Sequence, residues 1–563
     1  MLSKTTYWGL GLGALAVYAI GFGVDVMDVD SAQYASISRE MADSGSYLQV
    51  YNGGKDYLDK PPLLFWVTAF FFKLFGIGNW SFKIGAFLFT LLGVYSTLRL
   101  GTLLYSKKVG QWAALMLLTC QAYFLFNNDL RTDTILTATI IWAIWQLVAW
   151  LNTKLWKHLL GATLAIGCAM LAKGPIGLMV PVLAVGSYLV GQSRWRDFLH
   201  WQYLLLLLGV GLLISPMLWG LYQQFDQHPE KMVGMVTPQG IQPETNVKGV
   251  KFYLWTQSFG RITGENVWKD SSGPFYFVHN FLWSFLPWAP LFFVALFARL
   301  RSVVIAFMQK QAQPEWLTLG GFILPFLVLS TSKFKLPHYI FVLYPLAAIL
   351  LASWLGKALE NKAVKRSAIG TQGLVFLIST GLIGMIYVWF FPDYPIWKLA
   401  VSFGLLALAI AAFSKQETPV AKYLVTSVLI SLAVNFTMNG WFYPNLMNYQ
   451  TGTVLSRAVD ENDINPDDVY RYHFTAYSLS FGLQKVVPQA HNPEIEQLLN
   501  DDKDVYLVTR APYYEKLKEQ YVVQTVHEFG SHSVTLLHIK FLNPATRPER
   551  LKPTYLVKVI GRK

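Results

Sequence analysis

The sequence predicts an all-α polytopic membrane domain followed by a small soluble α/β domain. Three observations predict it. Hydrophobic residues fill 53% of the 563 positions and charged residues only 14%, a balance beyond that of soluble domains. Apolar runs of about 17 to 25 residues, the length that crosses a membrane as a helix, recur from Trp8 to Gly440. From about Tyr443 onward, short β-rich runs alternate with charged, helix-like ones.

The first run, 7–27, has no small-residue cleavage site before the next polar segment and reads as an uncleaved first span. A polar loop, 28–60, follows it. The next stretch, PPLLFWVTAFFFKLFGI at 61–77, is short, opens with two prolines and contains Lys73, so it is read as a helix along the outer membrane interface and not as a span. Runs near 81–104, 109–127, 134–151, 158–172, 174–190, 202–222, 276–298, 315–331, 336–356, 369–391, 396–413 and 421–441 bring the expected total to about thirteen spans. The turn Lys173, Gly174, Pro175 divides two short runs that one kinked segment would also explain. Residues 1–442 are thus expected to form the membrane domain, with 28–77 an outer loop carrying juxtamembrane helices and 223–275 a long outer loop. The latter is long enough to be a lid or a passive connection. Residues 443–563 are expected to form the soluble domain. Its predicted strands are DVYRYHF, KDVYLVTR, QYVVQTVHEF and PTYLVKVI, and its predicted helices NPEIEQLLND and APYYEKLKEQ.

Charge gives the orientation. Basic residues gather at alternate junctions: Arg99 with Lys107 and Lys108, Lys154 with Lys157, Arg194 with Arg196, Arg299 with Arg301 and Lys310, Lys357 to Arg366, then Lys415 and Lys422. The positive-inside rule makes these junctions cytoplasmic, which leaves 28–60, 127–133, 223–275, 332–338 and the tail outside. The net charge of +13 is therefore explained without nucleic acid, because the cations lie between spans and not on a fold of their own. Cys120 and Cys168 both lie in apolar runs, which gives no support to a disulfide or a thiolate metal site. The spans are nearly free of charge, whereas transporters keep polar groups near mid-membrane. This favours a site at the outer surface over a permeation path, with a lipid-linked-sugar flippase as the alternative.

Four polar groups fall on that face. Asp28 and Asp30 follow the first span and lead into the helix-like SAQYASISREMADSG. Asp59 and Lys60 precede Pro61 and Pro62, which stiffen the backbone and fix the direction of an acid and a base. Asp129, Arg131 and Asp133 sit in NNDLRTDTI, and Lys333, Lys335, His338 and Tyr339 in SKFKLPHYI. Taken singly, each has a plain explanation: a helix cap, an exposed ion pair, or lysines reaching toward phospholipid headgroups. Together, acids that take a proton from an acceptor and cations that hold a phosphate leaving group fit transfer from a polyprenyl phosphate.

At these residues the chain resembles a known family. Asp30, Ser31, Ala32, Gln33, Tyr34 and Ala35, with Ser38, Arg39, Glu40 and Met41, look like the first outer-loop motif of bacterial lipid A aminoarabinose transferases and their protein-mannosyltransferase relatives, the GT-C superfamily. Asp59, Lys60, Pro61 and Pro62 look like the acid, Lys, Pro, Pro motif, and SKFKLPHYIFVLYPLAAI like the later outer-loop motif. The resemblance implies a glycosyltransferase of the bacterial inner membrane, with its site and tail periplasmic. It would move a sugar from a polyprenyl-phosphate donor to a glycolipid, such as lipid A, or to a protein. It implies catalytic roles for Asp30, Asp59 and Asp133, and donor-phosphate contacts for Lys60, Arg131, Lys335 and Tyr339. Ser31 departs from the Asp-Glu pair common in the family, and Asp59 stands where Glu is frequent. Some relatives bind a divalent metal; here His228 and His279 have no ligand spacing, so a divalent metal is possible but none is assigned, and no other cofactor is required. The histidines of the tail show no metal spacing either.

Overall fold

The computed structural model describes residues 2–237, 240–265, 272–311 and 316–563. Parts of the long loop, 238–239 and 266–271, lie outside the described residues. The chain begins with α1 (Lys4–Gly21), capped by Ser3, whose side chain accepts from Thr6 N at 3.0 Å. Then come α2 (Asp30–Ser44), a small hairpin of β1 (Tyr51–Asn52) and β2 (Lys55–Asp56), and α3 (Leu63–Phe75). The hairpin was not expected. Glu40 holds its turn by accepting from Gly53 N at 2.7 Å and Gly54 N at 3.1 Å. At 13 residues, α3 is about 20 Å long, well short of a ~30 Å hydrocarbon core. It packs on α2, as a juxtamembrane helix would.

The membrane region continues as α4 (Asn79–Leu104), α5 (Lys107–Leu118), α6 (Gln121–Asn128), α7 (Thr132–Thr153), α8 (Trp156–Lys173), α9 (Ile176–Gly191) and α10 (Gln202–Leu221). Lys173, Gly174 and Pro175 do divide two helices: Gly174 sits at φ +82°, a left-handed position suited to glycine, and Pro175 starts α9. Further helices cover Tyr276–Ser284, Ala289–Met308, Trp316–Ser330, Tyr344–Ala358, Lys362–Met385, Ile396–Lys415 and Pro419–Thr437. Every expected span therefore has a helix, and one expected run is divided. Among the described residues only 8 helices are long and apolar enough to cross a membrane unaided, or 9 when α5 and α6, bent by 48°, count as one. Helices such as α9 and Trp316–Ser330 are shorter apolar elements. The run 276–298 is also not one span: the chain turns around Phe285–Trp288, between two helices. Hydropathy alone did not see that break, because the turn residues are themselves apolar.

Small residues and polar ties hold this bundle together, as is usual where lipid removes the hydrophobic drive between helices. A Cβ on Gly101 would come within 2.9 Å of Gly110 Cα, so α4 and α5 meet backbone to backbone. Lys83 on α4 is fully buried; its ammonium donates to Gly21 O at 2.9 Å and Val24 O at 2.5 Å. It thereby ties α4 to the turn that follows α1, where Val24 N also bonds Gly21 O at 3.2 Å. Asn439 joins the last span to α1 and α6, donating to Val17 O at 2.9 Å and accepting from Asn128 at 2.8 Å.

The helical run Pro419–Met447 extends past the expected boundary at 442. Beyond it lies a four-stranded sheet of β5 (Val469–Arg471), β6 (Val505–Arg510), β7 (Tyr521–Ser531) and β8 (Lys552–Arg562), counting the long-loop hairpin Val233–Thr237 and Gly240–Glu244 as β3 and β4. Strand order is β5-β6-β8-β7, with β5 and β6 parallel and the other pairs antiparallel. Alternation builds two cores. Val508 and Leu556 face helix Thr451–Glu461 through Leu455 and Val459, while Leu507 and Val557 face helices Asn492–Asn500 and Ala511–Gln520 through Ile495 and Leu517.

The tail is tied back to the opening loop. Ser478 donates to the Asp28 carboxylate from its backbone N at 3.0 Å and from its hydroxyl. Gln450 brackets the same turn, accepting from Asp28 N at 2.7 Å and donating to Val26 O at 2.9 Å. Burial raises the Asp28 pKa, and the Ser478 bonds oppose the rise. Asp28 is thus a structural tie between the two regions.

Candidate active site

Asp30 is the first residue of α2, where the helix dipole favours a carboxylate. Arg131, just before α7, donates to it through Nη1. The same guanidinium donates to Asp129 from Nη2 at 2.8 Å and Nε at 3.2 Å, so one cation spans two acids from two loops. Ser31 is fully buried and its hydroxyl accepts from Leu130 N at 3.1 Å. The residue that departs from the family pattern therefore fastens α2 to the Asp129–Arg131 loop. Burial pushes Arg131 down to about 10, with Asp133 opposing, which leaves it cationic at neutral pH. Burial pushes Asp129 up to about 7, with Lys83 opposing. The Asp30 side chain is 40% exposed against 11% for Asp129, so Asp30 is the member of the triad that a substrate can reach.

Asp133 lies one residue into α7 with its side chain 2% exposed. Its Oδ1 accepts from Lys173 Nζ at 2.6 Å, and its Oδ2 lies 3.7 Å from His338 Nε2. Lys173 Nζ stands 4.2 Å from the centre of the Tyr339 ring, a cation–π distance. Asp133 and Tyr339 are candidates by sequence, whereas Lys173 stands there only as part of a turn. The signal lay in the sequence: an ammonium at the C-terminal end of an apolar helix, just before Gly-Pro, needs a partner in the fold.

Asp59 and Lys60 pair at 2.8 Å, and Gln257 from the long loop donates to Asp59 through Nε2, reaching its backbone O at 3.0 Å and its carboxylate. Lys60 and Lys173 line one cleft, walled by Met217, Leu221, Phe252 and Tyr253. Tyr57 lines it too; its buried hydroxyl has no hydrogen-bond partner among the described residues, and it belongs to none of the sequence motifs. Lys335 is mostly buried and donates to Ser272 O at 3.2 Å, which sets it against the end of the long loop. Three carboxylate–cation groups thus occur together at the helix ends opposite the basic clusters. Among the described residues no three His, Cys, Asp or Glu side chains group as a metal site; His228 lies at the surface, 3.4 Å from Glu230.

The fold is that of a solved membrane protein. The structure superposes on ArnT from Cupriavidus metallidurans bound to undecaprenyl phosphate with a TM-score of 0.73 and 18% identity, covering 99% of this chain and 98% of that one. Residues 59–219 match the family described as dolichyl-phosphate-mannose-protein mannosyltransferase. Among curated proteins, the chain is similar to the undecaprenyl phosphate-alpha-4-amino-4-deoxy-L-arabinose arabinosyl transferase of Edwardsiella ictaluri, 27% identical over 370 residues. That match covers 62% of this chain and 60% of the relative. The enzyme of the same name from Shewanella sediminis is 25% identical over 440 residues, covering 74% of each chain.

Proposed function

We propose that this multi-span membrane protein is a glycosyltransferase that moves a sugar from a polyprenyl-phosphate donor to an acceptor at the outer, periplasmic face of a bacterial inner membrane. One observation carries the reading: two lysines, Lys60 and Lys173, stand in a cleft whose other walls are mostly apolar, with Asp59 and Asp133 paired to them. Such a cleft offers cations to a lipid-linked phosphate and an apolar wall to its chain.

In the reaction, an acceptor oxygen attacks the anomeric carbon while the bond from that carbon to the phosphate oxygen breaks. The sugar moves to the acceptor and the electron pair leaves with the polyprenyl phosphate. Charge develops on the departing phosphate, so Lys60 and Lys173 contribute most in the transition state. Asp30 takes the proton of the attacking group, and Arg131 fixes its carboxylate in place. Asp59 and Asp133 position the two lysines, and Tyr339 supports Lys173. Lys335 anchors the end of the long loop. The acceptor class is a glycolipid or a protein.

Binding tests this before chemistry does. Purified protein in nanodiscs, titrated with undecaprenyl phosphate and read by native mass spectrometry, should hold one lipid, with affinity about tenfold weaker or more in Lys60→Ala and in Lys173→Ala. Asp30→Asn should bind as the parent does. Equal binding by all three variants contradicts the assignment of the cleft.

A further inference from the structure

The connection between β7 and β8, residues 532–551, does not behave as a loop of a soluble domain. It carries Leu536, Leu537 and Ile539 at 66%, 40% and 63% exposure in the sequence SVTLLHIKFL. Its other apolar residues are committed: Val534 and Phe541 pack with Ile386, Phe390, Phe391 and Phe442 at the ends of membrane helices. Arg547 locks the connection down, donating to Phe390 O at 2.5 Å with its guanidinium 5.0 Å from the Phe391 ring. His532 N adds a bond to Tyr449 O at 2.8 Å. The exposed leucines are therefore held at the level where the helix Lys362–Phe390 ends. That helix presents Leu374, Leu377, Ile378, Val388 and Trp389 outward, as a lipid-facing surface does.

Beneath this connection lies a cavity of about 620 Å³. Val375, Ile378, Leu382, Val434 and Met438 form its walls, Val534 and Leu537 its rim, and Asp30, Arg131 and His338 its polar end. Ile378 both lines it and is 59% exposed, so the cavity opens sideways at the depth of the bilayer. It shares no lining residue with the Lys60–Lys173 cleft. An apolar cavity that opens to hydrocarbon takes a hydrocarbon chain, because neither water nor a polar peptide finds partners there.

We infer that residues 534–542 are a membrane-inserted flap: Leu536, Leu537 and Ile539 sit in the adjoining leaflet, and Leu537 forms the rim past which a lipid chain enters the cavity that ends at Asp30. The occupant is a membrane lipid chain. The insertion stands on the geometry of the tail and does not depend on the transfer chemistry.

Spin labels at Leu536→Cys and Ile539→Cys, in the full chain reconstituted in nanodiscs, test the insertion by collision with oxygen and with a water-soluble nickel chelate. The parent chain, whose Cys120 is buried and whose Cys168 is partly exposed, sets the background. Lys503→Cys is the aqueous control, because the β6–β8 register puts it at the opposite end of the sheet from the flap. The flap labels should favour oxygen and the control should favour nickel; nickel access at 536 and 539 equal to that at 503 overturns the insertion. A phosphatidylglycerol with a diazirine in its acyl chain tests the cavity. It should cross-link to the segments 375–382 and 434–438, and Leu537→Asp, which sets a charge at the apolar rim, should lower the yield about tenfold. No cross-link there, or a yield unchanged by Leu537→Asp, overturns the lipid route.

Discussion

Asp133 and Lys173 are the pair whose separation costs most, because both are shielded from water and each is the other's charge partner. Removing one partner of a buried ion pair costs about 3–5 kcal/mol, mostly as the uncompensated charge left behind. Lys173→Ala is therefore expected to lower both thermal stability and undecaprenyl phosphate affinity, while the double variant Lys173→Met with Asp133→Leu recovers stability but not affinity. Thermal melts and lipid titrations on the same preparations separate the two effects. Ser31 makes a second residue-scale case. Its hydroxyl satisfies a buried backbone N–H of Leu130, so Ser31→Ala should cost about 1–3 kcal/mol and loosen the Asp30–Arg131 geometry. Ser31→Thr, which keeps the oxygen, should cost less. Ser31 was legible in the sequence as a departure from a pattern, but its role was not, because that role depends on a backbone group 99 positions away.

Helices α8 and α9 place Lys173, and their spacing depends on a glycine. A Cβ on Gly177 would meet the Ala169 backbone carbon at 2.5 Å and Met170 N at 2.7 Å, whereas Gly186, further along α9, has nothing within 4 Å. Gly177→Val should push the helices apart, destabilise the protein by about 1–3 kcal/mol and weaken lipid binding through Lys173. Gly186→Ala should change neither. Denaturation followed with lipid binding distinguishes the two positions. The elements themselves were readable wherever periodicity or length decided them: the long apolar runs became helices, and the alternating runs of the tail became β5 to β8. Two features lay beyond such reading. The break at Phe285–Trp288 occurs in a stretch with no polar residue to mark it, and the β1–β2 hairpin has only two residues per strand, too few for an alternation to register.

At the scale of the molecule, the site is made where three distant stretches meet: the opening loop, the α6–α7 break and the α8–α9 turn. The sequence made the charged residues visible and the positive-inside pattern put them on one face, but pairing Asp133 with Lys173, 40 positions apart, is a tertiary result that no motif carries. The tail belongs to this arrangement. Its bonds from Ser478 and Gln450 to the Asp28 turn brace the residue two positions before Asp30. Gln450→Ala should therefore increase hydrogen exchange in both 24–32 and 449–456, with little change in the sheet strand 505–510. Exchange confined to one side would break the link between tail and site.

Cleavage of the sugar–phosphate bond is the central claim, and one measurement tests it most directly. Proteoliposomes carrying the purified protein, a bacterial extract of undecaprenyl-phosphate-linked sugars and a bacterial membrane-lipid extract are sampled by mass spectrometry. The account predicts release of undecaprenyl phosphate with an equal gain of sugar mass on an acceptor, both lost in Asp30→Asn while lipid binding remains. Donor that crosses the bilayer with its sugar–phosphate bond intact, or release that is undiminished in Asp30→Asn, would contradict it.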